Sequence, residues 1–318
     1  MSGNKTVFIT GIAGFIGSYT AEACLRKGWE VVGVDNFNSF YDPVIKRQNL
    51  SNFKDQIRFY DGDIRGADFM DKVFHENKID VVIHLAAMAG VRPSFQAPAL
   101  YVDVNLNGTN MVFRQALKYD VEKILYASSS SVYGNAPTVP FAETDNIDHP
   151  ISIYAATKRA NEKQAKLWQT FSGTPTVGLR FFTVYGPRQR PEMAIHKFTR
   201  ALYRNEPITL YGDGNTYRDY TFVDDIVAGI LGVEAKAAGN DVVNLGESKT
   251  TTLIDLIRML EVITGKTADL HFKPMQKGDV NRTFANIDYA REKYGYRPEM
   301  DMSTGLSRFV EWYQQTLL

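Results

Sequence analysis

The stretch "VFITGIAGFIGSYTAEACLRKG" leaves this chain few folds to choose from. An apolar, β-rich run enters a turn holding Gly11, Gly14 and Gly17, and a helical pattern over residues 14–27 follows at once. Glycines there let the chain turn tightly, let an anion approach the backbone, and let the helix pack close on the strand it leaves, with its N-terminus facing the anion. Three glycines alone are weak evidence. Here they join a strand to a helix, and Asp35 closes the next apolar run, "VVGVD", where a carboxylate accepts from ribose hydroxyls. The combination predicts a dinucleotide site, and Asp35 favours NAD because it would repel the 2′-phosphate of NADP.

Short β-rich runs, "KTVFIT", "EVVGVD", "DVVIHLAA", "KILYASS" and "TVGLRFF", alternate with helical stretches at 14–27, 68–77 and 154–171. That rhythm indicates βαβ units and a Rossmann-type, doubly wound parallel sheet. Beyond Arg180 the texture changes to loop-rich, basic and aromatic segments such as "VYGPRQRPEM" and "YGDGNTYRDY". The expected α/β architecture is therefore an NAD-binding domain over 1–180 and a smaller C-terminal α/β substrate-binding domain over 181–318. Segments around 217–246, including "FVDDIVAGILGV" and "VVNLG", should pack back on the first sheet, since no Gly/Ser or Pro-rich hinge separates the parts.

Composition excludes other classes. The 318 residues are 44% hydrophobic and 23% charged, as in ordinary globular proteins, and 36 basic residues balance 36 acidic ones, which gives no electrostatic case for nucleic acid or membrane as a partner. Cys24 is the single cysteine, so no internal disulfide forms, and it reads as small helix filler. No apolar run reaches the roughly 18 residues of a membrane span, and "MSGNKTVFIT" carries no signal-peptide core, so a cytoplasmic location is expected. His75, His149, His196 and His271 lack metal-ligand spacing, and His84 reads as a strand-end residue, so no metal is expected.

"YAATK" places Tyr154 and Lys158 four residues apart on one helix face. A phenol with a pKa near 10 is a poor base at neutral pH, whereas a neighbouring ammonium and a nicotinamide cation favour its phenolate. The pair alone is common on helix surfaces; behind a dinucleotide loop, and downstream of the strand ending in "SSSS", it reads as functional. Asp63 in "YDGDIRG" is either a turn former or an acceptor for the adenine amino group.

With these motifs in place, the chain resembles the extended short-chain dehydrogenase/reductases, and among them the nucleotide-sugar 4-epimerases. The likeness runs through "TGIAGFIG", "VDNF", "GDIR", "HLAAMAGVRPS", "NLNGT", "SSSSVYG", "YAATK", "RFFTVYGPRQRP" and "YRDYTFVDD". It implies that Tyr154 is the base, Lys158 its partner and a ribose ligand, and Ser129 the hydroxyl on the sugar oxygen. It adds Phe15, Ile16, Asn36, Ile64, Leu85, Ala86, Ala87 and Asn105 to Gly11, Gly14, Gly17, Asp35 and Asp63 around a tightly bound NAD. It implies a UDP-sugar substrate held by Ser129, Ser130, Thr183, Arg190, Tyr211, Arg218 and Arg282. Arg188 belongs to the same basic set.

The resemblance also implies a course for the reaction: loss of the 4-hydroxyl proton and the C4 hydride, rotation of a 4-keto sugar in the pocket, and return of hydride to its other face. Dehydratases of this kind carry Asp-Glu where this chain has Ser130-Ser131, and UDP-glucuronate decarboxylases usually carry Glu at the place of Ser131. Thr183 stands where galactose epimerases commonly have Asn, and "FFTVYGPRQRPEMA" with "DNFNSFYDPVIKRQNL" is closer to the UDP-glucuronate 4-epimerase pattern. The expected reaction is C4 inversion of UDP-glucuronate to UDP-galacturonate, ahead of UDP-glucose/UDP-galactose epimerisation, decarboxylation or dehydration. The resemblance further implies a homodimer formed through the helices at 105–118 and 154–171.

Overall fold

The computed structural model describes residues 5–274 and 282–318. The first half builds β1 (Thr6–Thr10), α1 (Phe15–Arg26), β2 (Glu30–Asp35), α2 (Pro43–Ser51), β3 (Arg58–Asp61), α3 (Ala67–Glu76) and β4 (Val81–His84). It continues through α4 (Val91–Gln96), α5 (Pro98–Val102), α6 (Thr109–Lys118), β5 (Lys123–Ser129), α7 (Ile153–Ser172) and β6 (Thr176–Phe181). The remainder forms β7 (Thr183–Tyr185), α8 (Ala194–Arg204), β8 (Ile208–Tyr211), β9 (Tyr217–Arg218), β10 (Tyr220–Phe222), α9 (Val223–Lys236) and β11 (Asn240–Leu245). The chain ends with β12 (Thr251–Thr252), α10 (Leu253–Thr264), β13 (Leu270–Lys273) and α11 (Met302–Leu317).

Seven strands form one parallel sheet in the order β11-β6-β5-β4-β1-β2-β3. Its strands are near-continuous apolar runs because both faces are covered. Alternation within β1 shows the two sides: Val7 and Ile9 pack with Ala21 and Cys24 of α1 and Ile226 of α9, whereas Phe8 packs with Phe74 of α3 and Phe113 of α6. The order reverses between β1 and β4, and the crevice beyond their carboxyl ends is where such sheets bind ligands. Three two-stranded pairs, β10-β7, β12-β9 and β13-β8, lie outside the large sheet, while β11 returns to its edge beside β6.

One expected helix departs from regularity. Over 105–118, only Thr109–Lys118 is α-helical, and Asp103–Gly108 forms a wider π turn. Two side-chain demands fall there. The Asn105 amide is drawn to the backbone of Met88, and Gly108 lies so close to Ile64 that an added Cβ would sit 2.7 Å from Cδ1. Among the described residues, no helix is long and apolar enough to cross a membrane.

A buried ion pair fastens α7 to the sheet. Arg180 of β6 grips Glu162 through Nε to Oε1 (2.8 Å) and Nη2 to Oε2 (2.9 Å), and the two residues are 2% and 7% exposed. Removing only the cation strands a buried carboxylate. Arg180→Met is therefore expected to lose about 3–5 kcal/mol in urea unfolding, whereas Glu162→Gln with Arg180→Met should recover most of it. A single variant as stable as the parent would show that the pair is not holding the helix.

Candidate active site

The glycine turn is built by close approach. Gly11 sits at φ +70°, its N–H donates to Val34 O (2.8 Å), and an added Cβ would lie 2.9 Å from Ala86 N. At Gly17, on the first turn of α1, a Cβ would lie 2.1 Å from Gly11 O. Only glycine lets α1 start this close to β1. The result is a helix N-terminus opening into the crevice, a seat suited to pyrophosphate.

Asp35 ends β2 with its carboxylate accepting from Phe37 N (2.9 Å) and Ala13 N (3.2 Å), and Lys46 Nζ is 3.7 Å away. Burial pushes the Asp35 pKa up and the Lys46 pKa down, and each charge partly offsets that for its partner. Asp63 already takes Arg65 through both oxygens and accepts from Asn36 Nδ2 (2.9 Å), and these hydrogen bonds hold its pKa down.

Ser152 caps α7 by accepting from Ala155 N, which sets Tyr154 in the first turn. One turn on, Lys158 Nζ donates to Ala127 O (2.7 Å) and lies 5.9 Å from the Tyr154 ring centroid. Burial lowers the Lys158 pKa to about 8. Burial also raises that of Tyr154, opposed by a hydrogen bond with Ser129 and by the charge of Arg190. Ser129 ends β5, accepts from Ser131 N (3.1 Å) and has its Oγ 3.1 Å from Ser131 Oγ. Its neighbour Ser128 points the other way and donates to Glu162 Oε1 (2.7 Å). A phenol, a hydroxyl and an ammonium so placed can take a proton from a bound alcohol.

These groups share one cleft of about 380 Å³. It is lined by Gly11, Gly14, Phe15, Ile16, Gly17, Asp35, Asn36, Asp63, Ile64, Leu85, Ala86 and Ala87, and equally by Ser129, Ser130, Ser131, Tyr154, Lys158, Thr183 and Arg190. Phe40, Tyr41, Lys46 and Met193 also face it and were not singled out from the sequence.

Four expected residues do not line this cleft. Asn105 is buried and spends its amide on Met88 N (2.8 Å), Met88 O (3.0 Å) and Thr157 Oγ1 (3.0 Å), so it shapes the 86–88 wall from behind. Tyr211 lies under the Arg92 guanidinium, 4.9 Å from the ring centroid. Arg218 Nη1 donates to Tyr217 O, and Arg282 Nη2 donates to Pro137 O (2.6 Å) at a second cavity of about 590 Å³ lined by Asn135, Gly212, Asp213 and Tyr217. Arg188 is turned away, with Nη2 on Glu22 Oε1 (2.8 Å) of α1. His84 is buried and bonded to Thr10 (2.7 Å) and Thr109 (3.0 Å), and burial holds its pKa near 3, so its ring is neutral.

Comparison with known proteins points one way. Residues 7–246 match the model of the NAD dependent epimerase/dehydratase family. UDP-glucuronate 4-epimerase 1 of Arabidopsis thaliana is 40% identical over 98% of this chain and 77% of its own length. The UDP-glucuronic acid 4-epimerase of Bacillus cereus, solved with UDP-glucuronic acid and NAD, superposes with a TM-score of 0.92 at 33% identity, covering 98% and 99% of the two chains. The UDP-glucose 4-epimerase of Thermotoga maritima, solved with UDP-glucose, gives 0.92 and 33%, covering 98% and 100%.

The Tyr154–Lys158 geometry sets a pH test. In Lys158→Met the phenolate loses its nearest helix-borne cation, so the rising limb of turnover against pH is expected to move upward by roughly 1–3 units, the usual effect of an opposite charge at such range. A limb that stays in place would detach Lys158 from the titration of Tyr154.

Proposed function

The chain belongs to the NAD dependent epimerase/dehydratase family, and from that membership we propose that its reaction is the reversible inversion of UDP-glucuronate at C4 to UDP-galacturonate. At the coarser level it is an NAD-dependent UDP-sugar 4-epimerase. The residues present fit the cofactor: Gly11 and Gly17 leave backbone space that a Cβ would fill, α1 offers its N-terminus, and Asp35 stands at the end of β2 for the ribose. When bound, NAD supplies reversible hydride exchange with a sugar carbon.

The chain's own groups carry the rest. Tyr154 takes the proton of the 4-hydroxyl at its phenolic oxygen and returns it, Ser129, already hydrogen-bonded to Tyr154, bonds the same sugar oxygen, and the Lys158 ammonium stands 5.9 Å from the Tyr154 ring centroid to favour the phenolate. In this reading Asp63 and Asn105 shape the cofactor seat. Arg218 and Arg282 bind diphosphate beside Tyr211, and residues 181–318 mainly serve the nucleotide sugar, in the cytoplasm. Ser130 and Ser131 bring hydroxyls to the cleft and no acid for elimination.

The observation that carries the uronate reading is Arg190. Its guanidinium lines the same cleft as Tyr154 and Thr183, and its charge acts on Tyr154 itself. A neutral hexose offers such a group little, whereas a carboxylate pairs with it through charge-assisted hydrogen bonds. Incubation with UDP-glucuronate and no added NAD should yield UDP-galacturonate on anion-exchange separation. Arg190→Ala should raise KM for UDP-glucuronate by roughly 10–100-fold, the worth of a hydrogen-bonded charge, and leave UDP-glucose little changed. Rapid UDP-galactose formation from UDP-glucose, without conversion of the uronate, would overturn the substrate.

A second copy of the chain is the proposed partner. Leu167 and Phe171 on the outer side of α7 are 70% and 79% exposed, beside α6, to which Trp168 ties them through Asn110 (3.1 Å). Apolar side chains that open to water suit a helix-pair interface between copies. Sedimentation should report a dimer for the parent protein and a monomer for Leu167→Glu with Phe171→Glu; a monomeric parent would reject the interface.

A further inference from the structure

Arg190 already has a carboxylate beside it. Its Nε lies 3.1 Å from Glu192 Oε1, its Nη2 faces the thioether of Met193 (3.6 Å), and its guanidinium lies over the Phe40 ring, 5.7 Å from the centroid. Both Glu192 oxygens are sealed from solvent, and neither accepts a hydrogen bond from a described residue. A carboxylate out of water without donors is costly, and the nearby guanidinium is the compensation it has. Burial raises the pKa of Tyr41 and Tyr101, the charge of Arg190 opposes this in both, and that of Glu192 adds to it more weakly; Tyr101 packs edge-on against Tyr154 with ring centroids 6.3 Å apart.

We propose that Glu192 is the resident counter-carboxylate of Arg190, a positioning residue that limits how firmly the enzyme holds an acidic sugar. This rests on the UDP-glucuronate reading. A guanidinium has two hydrogen-bonding edges. Glu192 occupies the Nε side, and among the described residues the terminal Nη side meets nothing better than a thioether, so it is the edge left for a substrate carboxylate. Arg190 then serves two like charges at once, and the second is held less tightly than an unshared guanidinium would hold it.

Weaker holding has a use in this reaction. Inversion at C4 requires the keto sugar to turn over between the two hydride transfers, so its carboxylate must leave one position and settle in another. An arginine committed wholly to the substrate would resist that rotation, because binding that is stronger in the intermediate than in the step that follows slows turnover. With Glu192 beside it, Arg190 keeps a partner while the sugar is between orientations.

The test is Glu192→Gln in the NAD-loaded enzyme, with Arg190→Ala as the reference. The amide matches the carboxylate in shape, so packing beside Nε is kept and only charge is lost. Calorimetry should show UDP-glucuronate binding on the order of 3- to 10-fold tighter, as for loss of one like charge near a partly exposed ion pair, with UDP-glucose unchanged. Steady-state rates should show KM and kcat for the uronate falling together. Unchanged uronate binding and kcat in Glu192→Gln, while Arg190→Ala still separates the two sugars, would overturn the role of Glu192 and leave the substrate reading standing. Equal weakening of both sugars would also overturn it, showing Glu192 to be merely structural. If the parent and Arg190→Ala both bind the two sugars alike, the uronate reading falls and this inference falls with it.

Discussion

The Glu162–Arg180 ion pair is the contact on which the geometry of the cleft depends. Tyr154, Lys158 and Glu162 fall four residues apart along one face of α7, and each meets the same stretch of β5: Ser129 by side chain, Ala127 by its carbonyl and Ser128 by side chain. Two of these contacts involve the groups proposed to meet a substrate. The third is tied to Arg180, whose register position on β6 is directly beside Ser128. A helix resting on apolar side chains alone can roll or slide by fractions of an ångström at small cost. A buried bidentate ion pair cannot, because loosening it strands charge away from water. The network then runs on from Arg180 Nη1 to Tyr133 (2.8 Å), from Tyr133 to Asn244 (2.7 Å) of β11, and from the Asn244 amide to Phe141 O and Asn286 O. Helix α7 is thereby fixed to the returning edge strand as well as to its neighbours.

The opposite wall of the cleft uses absence of bulk instead of charge. Gly11 and Gly17 bring α1, β1 and the backbone at 85–86 to distances that no side chain permits. Asp35 then sits where its two backbone hydrogen bonds fix the direction of the carboxylate. One wall positions by close approach and the other by ion pairing, and the cleft lies between them.

Much of this was legible in the sequence because it is governed by local rules. A glycine trio between an apolar run and a helix, a carboxylate ending the next run, and a Tyr/Lys pair at helical spacing each state a geometry over few residues. What escaped depends on partners far apart in sequence. Asn105 fell within an apparent cofactor motif, yet its amide is consumed by Met88, a choice set by how α5 and α6 meet the 85–89 segment. Lys46 of α2 is drawn to Asp35 by the fold of the 36–42 loop, which no periodicity specifies. Glu162 and Arg180 left a readable trace: a third polar residue on the Tyr154/Lys158 stripe, and one charge inside the apolar run "TVGLRFF". Two opposite charges, each misplaced in an apolar setting, are evidence of each other, provided the register of helix on sheet is known.

Arg188 and Arg190, two residues apart in a single basic motif, show why side-chain type alone does not assign a role. Arg188 takes a positive φ of 66°, unusual for a residue with a Cβ, and this turns its side chain back onto α1, where it stacks over Tyr19 (4.7 Å) and pairs with Glu22. The backbone conformation is compensated by that ion pair and ring contact. It also anchors the loop after β7 to the helix whose N-terminus forms the dinucleotide seat. Arg190 therefore projects from a loop fastened to α1. Of these neighbouring arginines one faces the cleft and the other holds the frame.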